Sequence, residues 1–308
     1  MKKRCKLLCL LLCATLLPLG ISCAEDPLVS SPDTAIVFTD SAGYNVSLNR
    51  TPTRVAVMFS SFADLWLSAG GQVAMTVGES VERGIVPDTV TVLAEGAGKT
   101  PSPEAISAAA PDLVILSADL AGHLSCAEVL REAGIPVALF RTENFEQYLA
   151  VLKICTDLTG RPDLYESVGL AQKAEIDALI AAKPLAGKKV LFARASSSAV
   201  KAKGSDDHFA AAMLRELGAV NIADGDTLLD GLNAEAVLRE DPDYLVFSAM
   251  GNEQAARDCV SALLESDAWR SLSAVQDGRR SFLPKSLFHY KPNQSWAAAY
   301  AYLAELIP

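Results

Sequence analysis

Residues 102–117 read SPEAISAAAPDLVILS and residues 233–248 read NAEAVLREDPDYLVFS, an ungapped match at an offset of 131. Glu104/Glu235, Ala105/Ala236, Pro111/Pro242, Asp112/Asp243 and Ser117/Ser248 are identical, and the apolar positions are kept in kind. Each copy opens on a helix-capping residue, Ser102 or Asn233. A glutamate follows at the second helical position, where the helix dipole favours negative charge. Each copy closes on Pro-Asp ahead of an apolar strand. Two similar α/β lobes would leave this trace in a sequence.

The pattern around the copies agrees. AIVFTD and YNVSLN alternate about a turn at 41–43 and predict an edge hairpin. From Arg54 onward short apolar strands alternate with helices: RVAVMF, VAMTVG, DLVILS and PVALF, then KVLFA and DYLVF. Such alternation predicts mainly parallel sheets covered on both faces. Between the copies, 144–183 carries no strand signal. One helix is expected from Phe145 to Leu158, a break at Gly160-Arg161-Pro162, and a long helix from Asp163 to Ala182. The expected fold class is therefore α/β, with two Rossmann-like lobes of mainly parallel sheets joined by one long α-helix. The expected boundaries are 35–160 for the first lobe, 161–185 for the linking helix and 186–308 for the second lobe.

The N-terminus predicts export. Lys2, Lys3, Arg4 and Lys6 precede an apolar run from Leu7 to Leu19. As a helix that run is about 20 Å long, too short for a bilayer core of roughly 30 Å. A signal peptide over 1–22 is expected. Gly20-Ile21-Ser22-Cys23 resembles a lipobox, which would make Cys23 the lipidated first residue and 23–34 a tether; Ser22-Cys23-Ala24 also suits ordinary cleavage. The signal carries four of the 27 basic side chains and none of the 37 acidic ones, so the remainder has a net charge of −14. Nucleic-acid binding relies on Lys and Arg against phosphates, and a chain this acidic argues against it. Cys126, Cys155 and Cys259 are widely separated and match no metal, redox or disulfide pattern.

Catalytic signatures fail one by one. Gly98-Lys99-Thr100 resembles a P-loop ending, but the required earlier glycine falls at Leu93, and the third glycine of a dinucleotide fingerprint falls at Pro101. No G-x-S-x-G elbow exists. His123, His208 and His289 form no local zinc motif, so no metal site is assigned. What remains is a set of loops beyond the carboxyl ends of strands, where open α/β sheets bind ligands. They include Phe59-Ser60-Ser61, Gly78-Glu79-Ser80, Glu95 to Thr100 with Lys99, Arg141 to Asn144, Arg194 to His208 and Pro284 to Lys291. Lys201 and Lys203, at alternating positions, suit either an anionic ligand or a solvated strand face. His289-Tyr290-Lys291 suits either a ligand contact or packing against the last helix.

Together the stretches SPEAISAAAPDLVIL, VKAKGSDDHFAAAMLRELGAVNIAD, LNAEAVLREDPDYLVF and YKPNQSWAAAYAYLAELI, with the 162–183 helix, resemble the solute-binding proteins of ABC importers for iron-siderophore, haem and cobalamin. The resemblance implies a monomeric, non-enzymatic, exported lipoprotein that faces the periplasm or the exterior and has no intrinsic cofactor. It would capture cargo between its lobes and deliver it to a permease dimer with its ATPase. Glu104 and Glu235 occupy the family's permease-docking positions, one per lobe. For an anionic siderophore the resemblance points to Arg141, Arg194, Lys201 and Lys203. For haem it points to His289, Tyr290 or Met58 as axial ligand, and for a corrinoid to Phe59, Trp66 and Tyr290. A sensor lipoprotein of the same fold is an alternative, as is an enzyme resembling the nitrogenase-cofactor type, which would need cluster-ligating cysteines.

Overall fold

The apolar runs pair as strands, and their order decides where a cleft can form. A computed structural model describes residues 35–225 and 232–307; the expected signal segment, tether and Cys23 lie outside the described residues. Strands β1 (Ile36–Thr39) and β2 (Asn45–Leu48) form the expected antiparallel hairpin. The first sheet contains β3 (Val55–Val57), β4 (Val73–Val77), β5 (Thr91–Ala94), β6 (Leu113–Ser117) and β7 (Val137–Phe140), all parallel in the order β5-β4-β3-β6-β7. The second contains β8 (Lys189–Ala195), β9 (Val200–Ala202), β10 (Val220–Asn221), β11 (Tyr244–Ala249) and β12 (Arg280–Phe282). Its order is β10-β8-β11-β12, parallel, with β9 antiparallel on β8. The two-lobed α/β architecture with mainly parallel sheets is thus the observed one. In each sheet the chain leaves a central strand to one side and returns on the other. The switch points lie between β3 and β6 and between β8 and β11.

The repeated Pro-Asp junctions do the same work in both lobes. The Asp112 carboxylate accepts from the Thr53 and Arg54 N–H groups while the Asp112 N–H donates to the Arg54 carbonyl. Asp243 accepts from the Lys189 N–H and donates its own N–H to the Lys189 carbonyl. Each aspartate thereby fixes the register of the repeat's strand, β6 or β11, against the central strand beside it. Residues 162–182 run between the lobes as one helical rod whose Tyr165–Leu170 portion is wound as a π-helix.

The inner faces of both sheets share one core. Val55, Val57 and Ile115 of the first sheet and Val190, Phe192 and Val246 of the second belong to the same buried cluster, with Ile176 of the linking helix. The C-terminal helix Trp296–Leu306 enters that core: the Trp296 ring lies 6.1 Å from Phe145 in the first lobe and 5.8 Å from Phe209 in the second. The outer face of each sheet has a separate apolar cluster. A shared, densely packed core resists the large hinge motions that two independent cores would allow.

The hairpin is pinned by one buried carboxylate. Asp40 accepts from the N–H groups of Ala42 and Tyr44 in its own turn, from the Leu139 N–H of β7, and from Arg131 Nη2 at 3.0 Å. The hairpin turn thereby covers the open edge of β7, which would otherwise offer unpaired backbone groups. Asp40→Ala is expected to cost about 3 kcal/mol, because it strands a half-buried guanidinium and a strand-edge N–H. A urea melt of the variant beside the parent checks this.

Candidate functional site

Segments that leave the carboxyl ends of the strands meet across the lobes. After β4 the chain forms a short helix, Gly78–Glu82, which carries Glu79 and delivers Arg83 one turn later. The Arg83 guanidinium lies 3.6 Å from the centroid of the Tyr290 ring in the second lobe. It also donates to Ser60 Oγ at 2.8 Å, and Ser60 donates in turn to the Glu79 carboxylate. Burial pulls the Arg83 pKa down, opposed by the negative fields of its neighbours, including Asp64 and Glu79. A second contact between lobes joins Lys291 Nζ to Glu143 Oε2 at 2.7 Å. Both contacts join segments that follow strands β4, β7 and β12, on the side where open α/β sheets take ligands.

The first-lobe side of the cleft has a fixed frame. The His123 ring is fully buried; its Nδ1 accepts from the Ser117 N–H at 2.9 Å, which makes Nε2 the donor to the Gly98 carbonyl at 2.8 Å. Burial lowers its pKa, so the neutral form is held. His123 therefore braces the Gly96–Lys99 loop and has no nitrogen left for a ligand. Gly122 is required beside it, since a Cβ there would stand 2.5 Å from the Lys99 carbonyl oxygen. The half-exposed Phe59 ring packs against Phe62 and His123 and is the apolar surface on this side.

The second-lobe side is cationic. Arg194, near the end of β8, faces Lys201 directly across the β8–β9 pair, and Lys203 directly follows β9, its N–H donating to the Phe192 carbonyl. Like charges placed opposite each other are unfavourable. Arg194 has no carboxylate partner among the described residues, its Nε is buried without a hydrogen bond, and burial alone lowers its pKa. His208 stacks between Phe192 and Phe209, and its pKa is pushed down to about 3 by burial first and then by Arg194, Lys291 and Lys203. His289 stands over the β8–β11 switch point with Nδ1 3.1 Å from the Ala249 carbonyl. A carbonyl only accepts, so the hydrogen is on Nδ1 and Nε2 presents a lone pair. Burial lowers the His289 pKa most, opposed by the Ala249 hydrogen bond, with the fields of Lys285 and Arg194 lowering it further.

Several residues expected at the ligand surface stand elsewhere. Trp66 is 1 % exposed, its indole N–H donates to the Gln72 carbonyl at the opposite end of the sheet, and it belongs to the core. Its helix, Ser60–Ser68, turns that face inward, so Trp66 presents no ring face to a ligand. Met58 is fully buried and cannot reach an iron atom. Ser60 and Ser61 are buried too: Ser60 serves Glu79 and Arg83, and the Ser61 carbonyl accepts from Asn293. Arg141 is neutralised by Asp119 at 2.5 Å on the rim, while Lys99 and Lys201 are exposed. Of the expected set, His289 and Tyr290 pack edge to face, Arg194 lies within electrostatic reach of His289, and Arg83 links Tyr290 to Ser60, the neighbour of Phe59. Arg83 was missed by sequence reasoning, although the i, i+4 spacing of Glu79 and Arg83 after a strand is a readable sign of a helical turn.

Among the described residues, no group of three or more His, Cys, Asp or Glu side chains converges as a metal site, and no helix is long and apolar enough to cross a membrane. No curated protein matches the chain in sequence. Solved structures with the same fold include the siderophore-binding protein BauB bound to a complex of two acinetobactin molecules and ferric iron. It shows a TM-score of 0.71 and 15 % identity over 89 % of this chain and 99 % of that one. A periplasmic heme-binding protein from Pseudomonas aeruginosa shows a TM-score of 0.65 and 21 % identity over 83 % and 92 % of the two chains. SirA from Staphylococcus aureus, complexed with staphyloferrin B, shows 0.61 and 16 % over 88 % and 96 %. At these identities the likeness establishes the fold. The sequence match that covers 55–287, from β3 through both switch points to the residues just before His289, goes further, and by it the chain belongs to the periplasmic binding protein family.

Proposed function

We propose that this protein is the substrate-binding component of an ABC importer and that its cargo is an anionic iron complex, a ferric siderophore or haem, held between the lobes. The carrying observation is Arg194, a half-buried guanidinium at a switch point with Lys201 opposite, Lys203 and Lys291 nearby, and no carboxylate against it among the described residues. A buried charge left unpaired is costly, and an anionic cargo supplies the missing partner. Arg83 and Tyr290 offer a cation and an aromatic face from the two sides of the cleft. The Nε2 of His289 suits an open iron position, since its Nδ1–H is already oriented by a carbonyl. Solved relatives of the fold that bind ferric siderophores or haem support the same cargo class. Cys23 would hold the protein at the membrane as a lipoprotein, and Glu104 and Glu235 would dock it on the permease.

Titration of the purified protein with ferric siderophores, haemin and cobalamin, read by visible absorbance and tryptophan emission, tests the reading. Trp296 is the useful reporter, because it packs on Phe209, whose ring lies 5.1 Å from Lys291 Nζ. Saturation by haemin or by one ferric chelate is the expected result. Arg194→Met should weaken it by about 30-fold, the size of a desolvated charge contact of about 2 kcal/mol. Saturation by cobalamin alone, or an unaffected Arg194→Met, would refute the anionic-cargo assignment.

A further inference from the structure

Behind the cleft one side chain joins three parts of the chain. Asn293 is 1 % exposed and holds a left-handed φ of +50° just before the C-terminal helix. Its Nδ2 donates to the Ser61 carbonyl and to Asp64 Oδ2, each at 2.8 Å, in the first-lobe helix Ser60–Ser68. Its own backbone carbonyl accepts from Gln172 Nε2 of the linking helix at 3.3 Å. Gln172 Oε1 in turn accepts from the Ala297 N–H of the C-terminal helix at 3.2 Å. The position needs an uncommon backbone conformation and a two-proton donor at once. Asparagine meets both demands, because it tolerates the left-handed region better than other residues with side chains.

The two ends of this network are the two walls of the cleft. Ser61 follows Phe59 and Ser60 directly, and Asn293 comes three residues after Tyr290. We propose that Asn293 is a positioning residue that sets the width of the cleft by fixing the His289–Lys291 segment against the Phe59–Ser61 wall. The surface contacts between lobes are poor substitutes. Lys291–Glu143 is a single ion pair with a half-exposed carboxylate, and exposed pairs add little. The Asn293 bond to the Ser61 carbonyl is buried, so breaking it leaves that carbonyl without an easy replacement donor. The inference concerns the empty protein and holds whatever the cargo is.

The test is a distance measurement by double electron–electron resonance on the otherwise intact exported protein. Spin labels go at Asp88→Cys in the first lobe and Glu265→Cys in the second, both exposed, with Cys259→Ser; Cys126 and Cys155 are buried. Asn293→Gly keeps the left-handed backbone accessible and removes the donor, whereas Asp64→Ala removes an acceptor from the opposite wall. Both should shift or broaden the distance distribution between lobes. The ratio of displaced to native populations should rise by about tenfold, the equivalent of about 1.4 kcal/mol. A solely local structural role would lower the melting temperature and leave the distances alone. A folded Asn293→Gly with the parent's distribution overturns the proposal. Should that variant fail to fold, an unchanged distribution in Asp64→Ala overturns it equally.

Discussion

Reversing both surface glutamates, Glu104→Lys together with Glu235→Lys, is expected to abolish cargo uptake in cells while leaving cargo affinity unchanged. Both are exposed, each is the second residue of its helix, and each helix leads into the equivalent strand of its sheet. Their backbones are held by matching caps: Ser102 Oγ accepts from the Ala105 N–H, and Asn233 Oδ1 accepts from the Glu235 and Ala236 N–H groups. Ser102 also donates to the Glu104 carboxylate at 2.7 Å, which lowers its pKa and keeps it charged. A pair of like-placed carboxylates, one per lobe, suits a partner that offers two cationic sockets. Rim charges of this kind govern encounter rate and register, and like charges facing each other across a contact are strongly disfavoured. Each glutamate also favours its own helix N-terminus, so a modest loss of thermal stability is expected in any case. Uptake and cargo affinity, measured separately, distinguish the two roles. Normal uptake by the double variant would leave helix stabilisation as the only role for these residues.

The part of the fold that was readable in advance was the part specified locally. The helix Phe145–Thr159 begins where the sequence places it and runs one residue further, because Asn144 caps its first turn and Gly160 ends it in the left-handed region. The β6 and β11 strands were legible as unbroken apolar runs that are buried on both faces. Strands β9, β10 and β12 were not, since two or three residues carry no period, and the sheet beside them supplies the pairing. β5 was missed for a different reason: it is an edge strand with exposed Thr91 and Val92 and no buried run.

The site was legible as a set of loops and less so as a set of side chains. Strand-helix alternation is enough to name the segments beyond the carboxyl ends. Which residue of a segment faces the cleft depends on how the following helix is rotated. Phe59 precedes the helix and stays half-exposed, whereas Ser60, Ser61 and Trp66 are carried inward by it. Arg83 entered because Gly78–Glu82 is helical and carries the chain one turn further. Charge compensation is equally invisible in one dimension. Arg141 just past β7 and Arg194 near the end of β8 are the same residue type, yet one has Asp119 beside it and the other has Lys201.

Acid should destabilise the protein through His208, and His208→Asn should remove that sensitivity. The ring is buried between two phenylalanines, and Nδ1 accepts the Ala210 N–H at the start of helix Phe209–Glu216. Arg194, Lys203 and Lys291 are the charged groups whose fields add to burial in lowering its pKa from 6.5 to about 3. The unfolded chain therefore binds a proton below about pH 6.5 that the folded protein refuses. Stability then falls as pH falls, by about 1.4 kcal/mol per pH unit, until the folded ring is protonated near the lower value. Asparagine is a strong N-cap, so the variant keeps the helix start and gives up the stacking and the titration. It should be less stable than the parent at neutral pH. Its unfolding free energy between about pH 6 and pH 4 should lose about 1.4 kcal/mol less per pH unit, as read from urea melts along the series. All other groups are common to the two proteins and cancel in the difference. An anionic cargo over Arg194 would relieve only the charge part of the shift, because burial is the larger cause and persists in the complex. The acid limb should accordingly end at a higher pH on loading and not disappear. Equal slopes in parent and variant would mean that the folded ring takes up its proton freely, and would count against its burial first and against the cationic surroundings second.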